Sequence, residues 1–131
     1  MPITCQYICI FTSDLAKGRH FYEELLGLKL LKQIRDGNPD DHADFYQLTP
    51  DLQLAIWQKQ VNATIDKQGT TSMICLNFSN QSLIIHKLQA LDSSNAQLIE
   101  PLHLTSYGHM RCIVADPNNQ YWEWCAPTKH I

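Results

Sequence analysis

The stretch Tyr121–Cys125, with the sequence YWEWC, follows the turn residues Asp116–Gln120, DPNNQ, near the end of the chain. Alternating side-chain character over such a run predicts a β-strand with one buried face, entered through a tight turn. Because successive side chains of a strand point to opposite sides, Glu123 must point away from both tryptophans. A carboxylate on the inner part of a strand is costly to bury without a partner. The question is therefore whether Glu123 faces a metal, a ligand or a neighbouring side chain.

The bulk composition limits the classes of protein to consider. The chain has 131 residues, 44% of them apolar, and a net charge of −3, which indicates one globular domain and no basic surface for nucleic acid. No apolar run approaches the roughly 20 residues that cross a bilayer. The five cysteines form no C-x-x-C pair, so we expect reduced, buried thiols in a cytoplasmic protein and no zinc knuckle.

An order of elements occurs twice along the chain. Residues 4–12 alternate as a strand, and a helix is predicted from about Asp14 to Leu26, with Ser13 as its N-cap and Gly27 ending it. A polar segment, Lys59–Thr70, is expected to cross to the second half. The other predicted strands are 28–35, 43–49, 52–58, 71–79, 97–100, 109–115 and 121–126, with a second helix at 81–92 and a loop at Leu102–Tyr107 that includes His103. The pattern β-α-β-β-β is thus repeated, which predicts a duplicated architecture.

The repeat is visible in individual residues as well. Tyr7–Cys9 and Met73–Cys75 lie 66 residues apart, and Leu52–Ala55 and Trp122–Cys125 lie 70 apart. On this offset Gln53 is the counterpart of Glu123.

The repeated order resembles the vicinal oxygen chelate superfamily, which includes glyoxalase I, fosfomycin-resistance enzymes, extradiol dioxygenases and bleomycin-resistance proteins. The resemblance rests on the segments Ser13–Leu15, Phe21–Tyr22 and Leu26–Leu28 and on the Asp116–Asn119 turn before Glu123. It implies an α+β fold in which two βαβββ modules form curved mixed sheets around a central cavity. It also implies one domain over residues 1–131, with pseudo-repeats at about 3–58 and 71–127, and a homodimer.

In metal-dependent members, the first and fourth strands of each module hold the metal, and the resemblance puts Tyr7, Gln53, Met73 and Glu123 in these four positions. Hard divalent ions prefer carboxylate, imidazole or carbonyl ligands. Only Glu123 is a good ligand, Gln53 is a weak one, and a phenol and a thioether are poor ones. We therefore expect no metal cofactor; if a divalent metal binds, Glu123 and Gln53 are the ligands.

Small side chains lie two residues beyond these four positions, at Cys9, Ala55, Cys75 and Cys125. They leave room for a pocket, and a thiol-lined soft-metal or redox site is the sharper alternative. The expected ligand-binding residues are Tyr7, Cys9, Tyr46, Gln53, Trp57, Met73, Cys75, His109, Arg111 and Glu123.

Two functions follow, and a purely structural or interaction module remains a third possibility. The first is metal-independent binding of an aromatic or apolar small molecule, in the manner of bleomycin-resistance proteins. The second is a glyoxalase-like lyase or isomerase, or a dioxygenase, with Glu123 as metal ligand or general base.

Overall fold

The computed structural model describes residues 5–39, 42–58, 73–106 and 108–128. The chain divides into two units, Met1–Lys67 and Gln68–Ile131. The predicted crossing segment Lys59–Thr70 and the first residues of the predicted strands 4–12 and 71–79 lie outside the described residues.

The first unit is a four-stranded mixed sheet with a helical connection. Strand β1 is followed by a 3-10 turn and a π-helix, and then by three further strands. The strand order is β1-β4-β3-β2, with β1 parallel to β4 and the other pairs antiparallel. The elements are β1 (Tyr7–Thr12), the 3-10 turn (Leu15–Gly18), the π-helix (His20–Leu25), β2 (Lys29–Ile34), β3 (Ala43–Thr49) and β4 (Leu52–Gln58).

The helical connection of the first unit differs from the continuous helix that the sequence predicts. Asp14, not Ser13, is the N-cap, because its side chain accepts a hydrogen bond from the backbone N–H of Ala16 at 3.0 Å. The apolar spacing of the segment fits an α-helix, but spacing does not determine which carbonyl each N–H selects, and a π-helix forms after the 3-10 turn. The prediction for Gly27 is confirmed: its φ of +70° ends the helix in the left-handed region.

The second unit repeats the arrangement. Its order is β5-β8-β7-β6, again with the first and last strands parallel and the others antiparallel. The elements are β5 (Met73–Asn77), α1 (Gln81–Gln89), a 3-10 turn (Asp92–Ser94), β6 (Gln97–Leu104), β7 (His109–Ala115) and β8 (Tyr121–Pro127). Two four-stranded mixed sheets, each with one helical connection, confirm the predicted α+β class and βαβββ order.

The two faces of the second sheet have different roles. Trp122 and Trp124 are fully buried, and α1, whose Ile84 is also fully buried, packs against β8. Glu123 points to the opposite face because side chains alternate along the strand. The two tryptophans therefore pack beneath α1, on the face of β8 opposite to Glu123.

The turn before β8 is held together by a buried carboxylate. Asp116 Oδ1 accepts hydrogen bonds from the backbone N–H groups of Asn118 and Gln120 at 2.8 and 3.0 Å, and Oδ2 accepts one from the indole N–H of Trp122 at 2.9 Å. Asn119 follows in the left-handed region at φ +63°. This explains the DPNN motif structurally: Asp116 fixes how the chain enters β8, and so which way Glu123 points.

Strand β6 is longer than the sequence predicts. The segment Leu102–Leu104, expected in a loop, continues the strand that begins at Gln97. Pro101 suggests a break, but β6 is terminal in the strand order and its pairing with β7 shifts register on both sides of Glu100, and such positions tolerate proline. Among the described residues, no helix has the length and apolar character needed to cross a bilayer.

Candidate functional site

Glu123 lies on β8, between β5 and β7, where residues distant in the sequence become its neighbours. Its partner across the parallel pair is Cys75, and its partner across the antiparallel pair is Ile113. The Glu123 side chain is only 14% exposed. At this burial a carboxylate needs a compensating partner.

That partner is Arg111. Its Nη1 lies 2.9 Å from Glu123 Oε2 in an ion pair, and its Nε donates to Glu100 Oε2 at 3.0 Å. Glu100 Oε2 also lies 3.4 Å from Nε2 of His103. We call these four residues, Glu123, Arg111, Glu100 and His103, the charged row. The row answers the question raised by the sequence: Glu123 faces a neighbouring guanidinium group.

Two thiols lie beside the carboxylate of Glu123. The Sγ atoms of Cys75 and Cys125 are 3.9 Å apart, and with a Glu123 oxygen they form a group of possible ligand atoms within 4.8 Å of one another. Partial desolvation raises the pKa of Cys75 to about 12, and its hydrogen bond to Glu123 adds to this effect. Desolvation also raises the pKa of Cys125. Both thiols therefore keep their protons at neutral pH, which argues against nucleophilic thiolates at this site.

The register of β5 corrects one sequence assignment. In the first unit Tyr7 pairs with Gln53, as the resemblance implies for the first and fourth strands. In the second unit the residue beside Glu123 is Cys75, whereas Met73 pairs with Tyr121. By this pairing the counterpart of Tyr7 in the second unit is Cys75 and not Met73. The offset between β1 and β5 is therefore two residues longer than the sequence repeat suggests. Met73 remains on the same face, where it is 46% exposed.

The corresponding face of the first sheet is aromatic. The ring of Phe45 makes edge contacts with Tyr7 and Trp57, at centroid distances of 5.5 and 5.9 Å. The amine of Lys32 lies 4.7 Å from the centre of the Phe45 ring, which is within cation–π range. Gln53 lies on this strand face beside Tyr7, and Cys9 is an exposed neighbour on β1.

Tyr46 does not belong to this face, contrary to the sequence prediction. It pairs with Leu54, which fixes it on the opposite side, and it is 1% exposed. Its hydroxyl donates to Glu23 Oε2 at 2.8 Å. Burial is the main cause that raises the pKa of Tyr46, and the hydrogen bond to Glu23 raises it further. The alternation of β3 therefore makes Tyr46 part of the core beneath the π-helix.

His109 is exposed at the start of β7, on the same face as Arg111 two residues later. Gln53 belongs to the first unit and Glu123 to the second. The role of each predicted residue in binding stays a prediction.

Sequence reasoning missed Glu100, His103, Lys32 and Phe45. His103 was missed because it falls in the predicted loop Leu102–Tyr107, whereas Glu100 was on the predicted strand 97–100 but had no identified partner. Lys32 and Phe45 become visible only once β2 is paired with β3. A signal for Glu100 was available, since opposite charges on consecutive predicted strands, here Glu100 and Arg111, can pair across a sheet.

The divalent metal that the resemblance implies does not fit the donors beside Glu123. Manganese, iron and similar ions in oxygen and nitrogen sites prefer carboxylate and imidazole ligands. In the described part of the second unit, the donors that cluster with Glu123 are two thiols, and a guanidinium group already binds one carboxylate oxygen. No reaction step is therefore derived through such a metal.

The amino-acid sequence and the structure were compared with known protein families and solved structures. A family profile described as the Glyoxalase/Bleomycin resistance protein/Dioxygenase superfamily matches residues 4–124. A sequence comparison with curated proteins finds no match.

Solved structures are similar in fold over nearly the whole chain. A glyoxalase-related enzyme from Fulvimarina pelagi has 22% identity and a TM-score of 0.73, covering 92% of this chain and 86% of that one. A glyoxylase/bleomycin resistance protein/dioxygenase domain from Frankia sp. has 14% identity and a TM-score of 0.74, with 92% and 94% covered. The fosfomycin resistance protein FosX from Listeria monocytogenes has 15% identity and a TM-score of 0.73, with 98% and 96% covered. At these identities the likeness establishes the fold alone.

Proposed function

Since the chain belongs to the glyoxalase/bleomycin resistance protein/dioxygenase superfamily, we propose that it binds a small aromatic or apolar molecule without the help of a divalent metal. The observation that carries the proposal is the 2.9 Å ion pair between Arg111 and Glu123. The one carboxylate that suits a family metal is engaged by a cation of the protein itself. An ion pair of this kind can position a ligand by hydrogen bonds, but it disfavours a second cation on the same oxygen.

Exposed apolar side chains on the same strand faces support the binding of an apolar molecule. Tyr7 and Phe11 on β1, and Met73 on β5, are each more than two-fifths exposed. Contiguous exposed apolar groups are a common mark of a binding surface, and Tyr7 and Phe11 share one face of β1. Arg111 carries a planar guanidinium group, a donor geometry that can orient a polar group of the ligand.

The proposal is tested by thermal unfolding with a ligand panel, in the presence and absence of a chelator. The panel contains aromatic acids, catechols, fatty acids, bleomycin and fosfomycin. A ligand at about 100 times its Kd stabilises the folded state by about 2.7 kcal/mol, and we expect this stabilisation to survive chelation. Stabilisation that disappears with the chelator and returns with manganese or nickel would refute metal independence.

Two variants locate the binding site once a ligand is found. Arg111→Met should weaken binding about tenfold or more, because a charge-assisted hydrogen bond contributes 1.5–3 kcal/mol. Lys29→Gln removes an exposed positive charge from β2 and should leave the affinity unchanged. Equal effects from the two substitutions would show that only net charge matters and that Arg111 is not part of the site.

A second function, a lyase, isomerase or dioxygenase, is favoured by one observation. A cationic guanidinium lies 2.9 Å from a carboxylate, so a base and a group able to stabilise an oxyanion are adjacent. Turnover of methylglyoxal hemithioacetal, or cleavage of a catechol, would support it. Glu123→Gln should then abolish turnover while ligand binding is retained, whereas a binding protein shows no turnover before the substitution.

We further propose that the two units form one domain, that two chains pair, and that the protein is cytoplasmic. Family resemblance supports the pairing, and an odd number of cysteines, five, supports a reducing compartment. Light scattering on the purified protein tests the pairing. A monomer at all accessible concentrations would refute it.

A further inference from the structure

The thiol pair beside Glu123 has the spacing of a metal–thiolate site. A tetrahedral ion with metal–sulfur bonds of about 2.3 Å holds two sulfurs about 3.8 Å apart, and the Sγ atoms of Cys75 and Cys125 are 3.9 Å apart. The backbone supplies this distance because Cys75 pairs with Glu123 on the adjacent strand, and Cys125 is the next residue of β8 on the same face. The two sulfurs therefore need little movement to share one ion.

A carboxylate completes a third position. An oxygen in the same tetrahedral shell lies about 3.6 Å from each sulfur, and the Glu123 oxygen is within 4.8 Å of both. A side-chain movement of roughly 1 Å brings it into the shell. Arg111 binds Oε2, and a carboxylate has a second oxygen with which to bind an ion. Cys75 is exposed, so an ion can reach the site from solvent.

The charge of the site also suits a cation. With the ion bound, both cysteines are thiolates, and together with Glu123 and Glu100 they carry four negative charges against the single positive charge of Arg111. Binding a divalent ion releases the two thiol protons to water. Sulfur ligands select zinc, cadmium and Cu(I) over manganese, magnesium and calcium.

We propose that Cys75, Cys125 and Glu123 form a site for a thiophilic metal ion of the zinc and cadmium class, with a solvent-facing fourth position. This site differs in its donors from the oxygen and nitrogen site that the fold family implies. The proposal requires no small molecule and does not rest on the proposed binding function.

The test is calorimetric titration of the reduced protein with zinc, with cadmium and with manganese. We expect one zinc or cadmium ion per chain, and binding of manganese at least tenfold weaker. Protection of the exposed Cys75 thiol from a thiol reagent upon zinc binding, located by peptide mapping, gives a second readout that is independent of heat. Manganese binding as tight as zinc binding would overturn the proposal, because it would indicate oxygen and nitrogen ligands.

Substitutions assign the ligands. Cys75→Ser should weaken zinc binding at least about 100-fold, since even residues outside the metal's own ligands cost 10–100-fold. Cys5→Ser, which removes an exposed thiol outside the site, is the matched control and should leave zinc binding unchanged. Because Cys75 is exposed, its variant should fold even if Cys125→Ser does not.

Two results would refute the assignment. One is unchanged zinc affinity in Cys75→Ser. The other is a protein that binds no zinc and in which peptide mapping finds a disulfide between Cys75 and Cys125. Glu123→Gln separates two ligands from three: a loss of about tenfold or more supports the carboxylate as a ligand, and no loss removes Glu123 from the site.

Discussion

The ion pair between Arg111 and Glu123 can be measured by a double-mutant cycle. The side chains of Arg111 and Glu123 are 24% and 14% exposed, and their atoms lie 2.9 Å apart. Glu100, which also contacts Arg111, is 36% exposed, and its carboxylate lies 3.0 Å from Arg111 Nε. Arg111→Met keeps the length of the side chain but removes the guanidinium group, and Glu123→Gln keeps the shape but removes the charge.

The expected magnitude follows from burial. A hydrogen bond to a charged group contributes about 1.5–3 kcal/mol where it is shielded, whereas a solvent-exposed pair contributes about 0.2–1 kcal/mol. We therefore expect a coupling free energy of about 1–2 kcal/mol for Arg111 with Glu123. For Arg111 with Glu100, which is more exposed, we expect less than about 1 kcal/mol.

Urea unfolding of the wild type, the single variants and the double variant gives the coupling energy. The cycle with Glu100→Gln is the matched control, because it removes a carboxylate from the same guanidinium. Substitutions that do not interact are additive within about 0.3–0.5 kcal/mol. A coupling below this limit for Arg111 and Glu123 would refute the view that Glu123 is held by the guanidinium, and with it the reason for expecting no family metal.

Three further predictions concern the scaffold. Asp116→Ala removes the acceptor of three hydrogen bonds and should lower the free energy of unfolding, measured by urea unfolding, by about 3 kcal/mol. A loss below about 1 kcal/mol would contradict the role of Asp116 in holding the turn before β8. Asp44→Asn weakens the contact of a fully buried carboxylate with Arg35 at 2.6 Å and should lower the free energy of unfolding by about 2 kcal/mol. Asp51 is an exposed acid, and Asp51→Asn is the control that should leave the stability unchanged. Burial raises the pKa of Cys112 to about 12, so near pH 9 the unfolded chain loses this proton while the folded chain keeps it. The free energy of unfolding should therefore fall between about pH 9 and 12. Cys112→Ala should show a shallower decrease, and an identical decrease would contradict the assignment of this pH dependence to Cys112.

The strands that the sequence predicts correctly are bounded by clear turn residues. The bounds of β3, β4 and β7 agree with prediction because turn residues such as Pro50 and Asp51 mark the hairpin, and because β-rich alternation continues to each end. The same reasoning identified the buried tryptophans of β8 from their period of two. Local chemistry is sufficient where it determines both the ends of a strand and its inward face.

The position of β5 relative to Glu123 could not be obtained in this way. The residues Met73–Leu76 are all apolar or weakly polar, so neither face of the strand is marked as outward. Register is weakly specified when the pattern does not distinguish the faces. Internal similarity with Tyr7–Cys9 then selected Met73 as the position of interest, whereas backbone pairing selects Cys75. Three-dimensional pairing was needed to correct the assignment by two residues.

The charged row shows why a carboxylate can be found in a sequence while its function cannot. Glu123 is conspicuous because its own strand places it between two tryptophans. Its partners arrive from other strands: Arg111 from β7, Glu100 from β6 and Cys75 from β5. These partners compete for one side chain, since the guanidinium favours a bound anion or a neutral ligand, whereas the thiols favour a soft cation. Whether this face can bind both a ligand and zinc therefore depends on whether zinc displaces the contact between Arg111 and Glu123. The zinc affinity of Arg111→Met measures this directly. A higher affinity than that of the wild type would indicate competition, and an unchanged affinity would indicate that the two carboxylate oxygens bind separate partners.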